Sequence, residues 1–334
     1  MHNNDRLVQW LEDIVRRQYA GKVALVCLYG SYINGTANPL SDVDCYFVPK
    51  TSEGLSLART FILDGVGYDI FPMTWERLEA IARLETSQQP LVGDVQVLYA
   101  DSPEDLMQLE RVQQCLQRNL QDKAFRHKMA QQRFQRACSR LPSESNDLRE
   151  SRLMAGGLLM DVAEWLAYQR GEYYHRGLKT QFSDLLRLEH LPETLKERYL
   201  AVLKGNTPSA IRQACMALLE TVGCNRGAPQ PLVWQETPQA GQQLASLYEE
   251  ICSTFNKIYH CIQQNDPILA FLSVVCLQWE LPWLDVLSAY HFSDLQPLEK
   301  QTRQAEEAVR RRITQTGGVL HEYDGFEAFL TAQR

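Results

Sequence analysis

Two aspartates two positions apart, Asp42 and Asp44, stand at the start of an apolar run, Val43–Val48. Ten residues upstream of them, Gly30-Ser31 ends another apolar run, Val23–Tyr29. On a strand, residues i and i+2 share a face and rise about 3.3 Å each, so the two carboxylates point together roughly 6–7 Å apart. Carboxylates that close repel unless a cation lies between or beside them. Hard oxygen ligands with open positions suit Mg²⁺, which takes a few carboxylates together with substrate phosphates. Val43 and Cys45 then face the other way, into a core. Gly30 lets the backbone approach a phosphate closely, and Ser31 offers a hydroxyl and an amide. A helix beginning at Ser31 or Tyr32 adds its N-terminal dipole. The chemistry these residue types serve is a phosphate cradle beside a metal site, as nucleotide transfer requires.

A third carboxylate joins them. Val66–Phe71 reads as a strand with Asp69 among bulky apolar residues, and beside the Asp42/Asp44 strand it either completes the metal site or takes a hydroxyl proton. Each piece alone has a plainer reading: a turn, a solvated strand end, an edge residue. Together, a plain reading must supply three strands, a cradle and three acids in this order.

The elements that position these residues follow from hydropathy. An amphipathic helix at Arg6–Tyr19 leads into the first strand. Strand Val43–Val48, helix Leu55–Leu63, strand Val66–Phe71, helix Trp75–Leu84 and strand Val95–Tyr99 follow. Short connections between alternating elements make residues 1–101 an α/β catalytic domain. Ser102-Pro103-Glu104-Asp105 is a helix start with capping serine, proline at the first position and acids in the first turn. Its helix is expected to run to about Leu141, before a break at 142–146. Further helices are expected at Leu148–Gln169, Thr180–Leu188, Glu193–Leu203, Ser209–Val222, Ala240–Gln263, Ile268–Leu277, Trp283–Tyr290 and Leu298–Thr316. Residues 227–238, with three prolines, read as a surface loop. The expected fold class is α+β: a sheet domain, then an all-α domain over 102–334.

Gly30-Ser31, the ten-residue spacer, Asp42-Val43-Asp44 and the later Asp69 resemble the nucleotidyltransferase superfamily that includes DNA polymerase beta. The resemblance covers about the first third of the chain. It extends in particular to small bacterial members such as the aminoglycoside and lincosamide nucleotidyltransferases. It implies a small mixed sheet backed by helices, with two Mg²⁺ ions held by Asp42, Asp44 and Asp69. Gly30 and Ser31 would meet the β/γ-phosphates, with Ser41 in the same nucleotide-binding set. A hydroxyl of a small acceptor, an antibiotic among the candidates, would attack the α-phosphate of an NTP, and AMP is the expected group transferred.

The helical domain is expected to supply the acceptor site. Asp161, Glu164 and Tyr168 share a helical face by spacing. In the antibiotic enzymes a glutamate of the helical domain is the general base, and Glu164 matches it; the alternative is a solvated acidic face. Arg176 and Lys179 either reach the triphosphate or cap a helix end closed by Gly177.

Bulk properties restrict the partners. A net charge of −7 and a pI near 5.6 argue against a broad nucleic-acid surface. No apolar run approaches a membrane span and the N-terminus lacks a signal-peptide core, so a cytoplasmic enzyme is expected. Nine cysteines stand without a Cys-x-x-Cys pair and read as reduced thiols, several of them buried. Alternatives are a protein or RNA acceptor, a non-catalytic nucleotide sensor or antitoxin-like module, and a ribonuclease using Arg170 and His175. A homodimer that shares its acceptor site is a further alternative.

Overall fold

The computed structural model describes residues 3–144, 146–223 and 238–333; the expected loop at 227–238 lies outside them but for its last residue. In chain order the first elements are α1 (Asn3–Ile14, followed by a wider turn over Val15–Tyr19), β1 (Val23–Tyr29), α2 (Gly30–Ile33) and β2 (Asp44–Pro49). Next come β3 (Arg59–Leu63), β4 (Val66–Pro72), α3 (Trp75–Ala82), α4 (Pro90–Gly93), β5 (Gln96–Ala100) and α5 (Pro103–Gln121). Helices then dominate: α6 (Lys123–Ser139), α7 (Leu148–Arg170), α8 (Gln181–Leu185), α9 (Leu195–Lys204), α10 (Pro208–Thr221), α11 (Gly241–Gln263), α12 (Pro267–Glu280) and α13 (Gln296–Gln315). β6 (Glu322–Tyr323) and α14 (Phe326–Ala332) close the series.

The chain packs as two compact units. The first comprises Met1–Gln121, Ala240–Asn256 and Arg312–Arg334; the second comprises Asp122–Gln239 and Lys257–Arg311. The first unit is built on a mixed sheet of order β5-β1-β2-β4-β3-β6. β1 runs antiparallel to β2 and β5, β4 antiparallel to β3, while β2–β4 and β3–β6 are parallel. One face buries Leu28, Val43, Cys45, Phe47, Phe61 and Ile70 in one cluster with Leu7, Leu11 and Val15 and with Phe326 and Phe329 of α14, Trp10 of α1 meeting Phe329 edge to face at 4.9 Å. Val43 and Cys45 thus point into the core, as the alternation around Asp44 requires. Toward the other face, the buried Tyr46 hydroxyl donates to the Leu91 carbonyl of α4 (2.9 Å).

Three expected elements differ. Leu55–Leu63 is not a helix: a 3-10 turn over Ser52–Leu57 gives way to β3. Thr60, Phe61 and Ile62 favour a pleated surface, and Asp64-Gly65 closes a two-residue hairpin to β4, both residues with positive φ (50° and 77°). The long helix after Pro103 breaks at Asp122, whose carboxylate accepts from Phe125 N (3.0 Å) and starts α6 as a new helix. Trp283–Tyr290 shortens to a turn at Leu287–Ala289, where the Leu287 carbonyl accepts from the buried Arg152 (2.7 Å) instead of continuing a helix. The Ser102 cap forms as expected, accepting from Asp105 N (3.2 Å).

The second unit is helical throughout its described residues. Its central helix, α7, is buried at nearly every position from Ser151 to Tyr168. Gly156 and Gly157 make that possible. A Cβ on the first would collide with Val275 of α12, and one on the second with the guanidinium of Arg140, which caps the C-terminus of α6. Among the described residues no helix is long and apolar enough to cross a membrane, and the described cysteines are free thiols.

Candidate active site

β1 ends in extended backbone at Tyr29, and Gly30 turns the chain into α2 with φ 76°. That conformation favours glycine, and the space demands it as well: a Cβ on Gly30 would fall inside the van der Waals shell of Asp44 Oδ2. The register explains the closeness, because Tyr29 lies opposite Asp44 across the β1–β2 ladder. Ser31 follows at the start of α2 and is buried, and among the described residues its hydroxyl has no hydrogen-bond partner.

The loop from Asn34 to Ser41 is held by its own polar groups. Asn38 N donates to Ser41 Oγ (3.0 Å) and Leu40 N to Asn38 Oδ1 (2.8 Å). Asn4 of α1 donates to the Ser41 carbonyl (3.0 Å) and accepts from the Tyr68 hydroxyl of β4 (2.6 Å). Ser41 therefore anchors the loop that presents Asp42. Asp42 precedes β2 and Asp44 is its first residue; both are half-buried.

β4 brings in Asp69. Cys45 pairs with Ile70 in the parallel β2–β4 register, so the residues before them, Asp44 and Asp69, neighbour each other. The electrostatics follow from the same placement. The Tyr29 phenol is pushed well up by burial and then by the charges of Asp44, Asp42 and Asp69 together. Asp69 itself rises from 3.8 to about 7, through burial first, then the charges of Glu250 and Asp42.

Glu250 was not anticipated from the sequence. It is carried by α11, whose first half packs on the sheet at Gly67: a Cβ there would strike the Glu249 carbonyl and the Cys252 side chain. Glu249 accepts from the Thr60 hydroxyl (2.7 Å), Thr60 being paired with Asp69 in the β3–β4 ladder. Asn256 donates to the Gly65 carbonyl (2.9 Å). These contacts fix α11 against the strand that bears Asp69, and a partner 181 positions away leaves no local pattern.

Among the described residues, no three His, Cys, Asp or Glu side chains are grouped closely enough to hold a metal ion by themselves. The donor chemistry, hard carboxylate oxygens beside a phosphate cradle, is that of an open divalent-cation site which phosphate oxygens and water would have to complete. The Gly30 cradle against Asp44, the buried Ser31 hydroxyl and the crowded carboxylates agree with that chemistry.

The other expected residues lie in the second unit. Glu164 is buried on α7 in an ion pair with Arg133 (3.0 Å). Asp161, one turn earlier, takes Arg136 Nε at 2.7 Å and Arg140 Nε at 2.9 Å. This face of α7 is buried and ion-paired rather than solvated. Arg176 and Lys179 are exposed at a 3-10 turn, Gly177–Lys179. Arg170 is spent on carbonyls of Leu166, Glu189 and His190.

Residues 8–88 match the family model for a nucleotidyltransferase domain. The matched stretch holds Gly30, Ser31, Ser41, Asp42, Asp44 and Asp69, and it supports a nucleotidyl-transferring enzyme acting on an NTP. No curated protein matches the chain.

Proposed function

We propose that the protein is a Mg²⁺-dependent nucleotidyltransferase that moves an NMP, AMP in the leading reading, from an NTP to a hydroxyl of a small molecule. The observation that carries the reading is the seating of Gly30 on Asp44, with Asp42 and Asp69 acting on the same Tyr29 phenol. Divalent ions, when bound, neutralise the triphosphate and hold the attacking and leaving oxygens.

The chain's own residues do the rest. Gly30 and Ser31 bind the β/γ-phosphates through the bare backbone and the buried hydroxyl, with Ser41 fixing the loop beneath. Asp42 and Asp44 would hold the divalent cation, whose positive charge would draw the α-phosphate to them. Asp69, crowded by Glu250 and Asp42, would complete the divalent site or accept the acceptor's hydroxyl proton. The acceptor oxygen bonds to the α-phosphorus, the bond from that phosphorus to the bridging oxygen breaks, and pyrophosphate leaves with the electron pair. Glu164, engaged by Arg133, serves the packing of the helical unit in this scheme. An antibiotic is one acceptor of the required kind.

The test is pyrophosphate release from each NTP with Mg²⁺ across a panel of aminoglycosides, lincosamides and nucleosides. Release that depends on one panel member and disappears in Asp42→Asn supports the reading. Silence with NTP still bound moves the acceptor to a macromolecule, and silence without NTP binding overturns it.

A further inference from the structure

The helical unit has a basic cavity of its own, of about 240 Å³, lined by none of the residues assigned to nucleotidyl transfer above. Arg152 of α7, Lys204 at the end of α9, Asn206 after it, and His291, Phe292 and Ser293 before α13 line it. No carboxylate is among its lining residues.

Arg152 is the unusual member. It is only 2% exposed, yet among the described residues its guanidinium has a single hydrogen bond, Nη1 to the Leu287 carbonyl (2.7 Å). Among the described residues Nε meets no acceptor. The guanidinium stands 5.6 Å from the Tyr290 ring centre, and burial lowers its pKa despite the charge of Asp285. A buried cation with unmet donors is costly unless an anion completes it, and the planar guanidinium fork suits a tetrahedral oxyanion. Lys204 Nζ lies 5.3 Å from the centre of the Phe292 ring, which holds a second cation at the rim. Asn206 and Ser293 add neutral donors. The volume falls below that of ordinary ligand pockets, so the cavity suits a head group with at most a short stem.

We infer that this cavity binds a phosphoryl group, free or on a small organic stem, between Arg152 and Lys204. The site is independent of the proposed transfer chemistry.

The full-length protein, titrated calorimetrically with inorganic phosphate, glycerol phosphate and succinate, tests it. At least one phosphoryl probe should bind saturably, and succinate more weakly. Lys204→Glu, at an exposed position where folding is not at stake, should weaken that binding by about tenfold or more with an unchanged melting temperature. Arg152→Lys, which keeps the charge but loses the fork, should weaken it too. Tighter glycerol phosphate than inorganic phosphate identifies an organic phosphomonoester; the reverse identifies free phosphate. Absence of binding, succinate binding as tightly, or undiminished binding in Lys204→Glu, which would put the phosphate in the nucleotide cradle or elsewhere, overturns the inference.

Discussion

Asp69 in the sheet unit and Asp161 in the helical unit are both withdrawn from water, and they are opposites. Asp69 has like charge around it, Asp42 and Glu250, and is driven up to about 7. Asp161 lies between Arg136 and Arg140, and the Glu164 carboxylate one turn on meets Arg133. Depth alone therefore does not separate a working carboxylate from a structural one; the sign of the neighbouring charge does. A carboxylate crowded by carboxylates is set up to meet a cation or a proton. One clasped by arginines already has its counter-charge.

The contrast is most exposed by removing one charge in each unit. Asp44→Asn should lower turnover by about 10²–10³-fold or more while the melting curve is unchanged, because the neutral amide cannot hold a cation. Asp161→Asn should do the reverse. Two arginines would lose their buried counter-charge, costing about 3–5 kcal/mol of stability in urea unfolding, with activity per folded molecule retained. Equal losses of activity in the two variants would erase the distinction.

Gly157→Ala should weaken the arginine clasp from the helix side, because a Cβ collides with the Arg140 guanidinium. A cost of about 1–3 kcal/mol is expected from such overpacking, read as a fall in the urea midpoint.

A smaller effect concerns pH. The folded pKa of Asp69, about 7, lies above its ordinary value of 3.8. Its contribution is therefore most favourable below about 3.8 and is lost as pH rises through 7. Asp69→Asn should accordingly melt at a higher temperature than wild type at pH 8, with the gap closing toward pH 4. A constant gap would refute the crowding.

The smallest expected effect lies at Asp101, a structural carboxylate within the sheet unit. Lys50 (2.6 Å), the Gly21 amide and the Tyr99 hydroxyl hold it down at about 2. Its stabilisation is present above 3.8 and lost as pH falls through 2. Lys50→Met should cost about 1 kcal/mol near neutrality, and less at pH 2.

Legibility in the sequence followed the range of the forces involved. The cradle, Asp42 and Asp44 lie within fifteen residues, so residue type and spacing pointed to them, although Asp42 precedes β2 and only Asp44 stands on the strand. Asp69 needed only that two apolar runs pair. β3 was misread although Asp64-Gly65, a strong hairpin signal, stood in plain view; the apolar spacing from Leu55 to Leu63 suited a helix as well. Glu250 could not be read at all, since nothing near it in the chain indicates that Gly67 admits a helix. The α7 acids were legible as a face but not by sign: Arg133, Arg136 and Arg140 neutralise them from a different helix.

β6 carries one more consequence. Ile62 N donates to the His321 carbonyl (2.7 Å) and Asp64 N to the Tyr323 carbonyl (3.1 Å), so the edge beside β3 is closed by residues made about 260 positions later. Phe326 and Phe329 then finish the core that Leu7 and Leu11 began. During synthesis the sheet that carries the proposed nucleotide site is thus begun about 260 residues before its β3 edge is closed, and contacts of such long sequence separation form slowly. The nascent chain would carry Asp42, Asp44 and Asp69 on an unfinished sheet until the helical unit had been made.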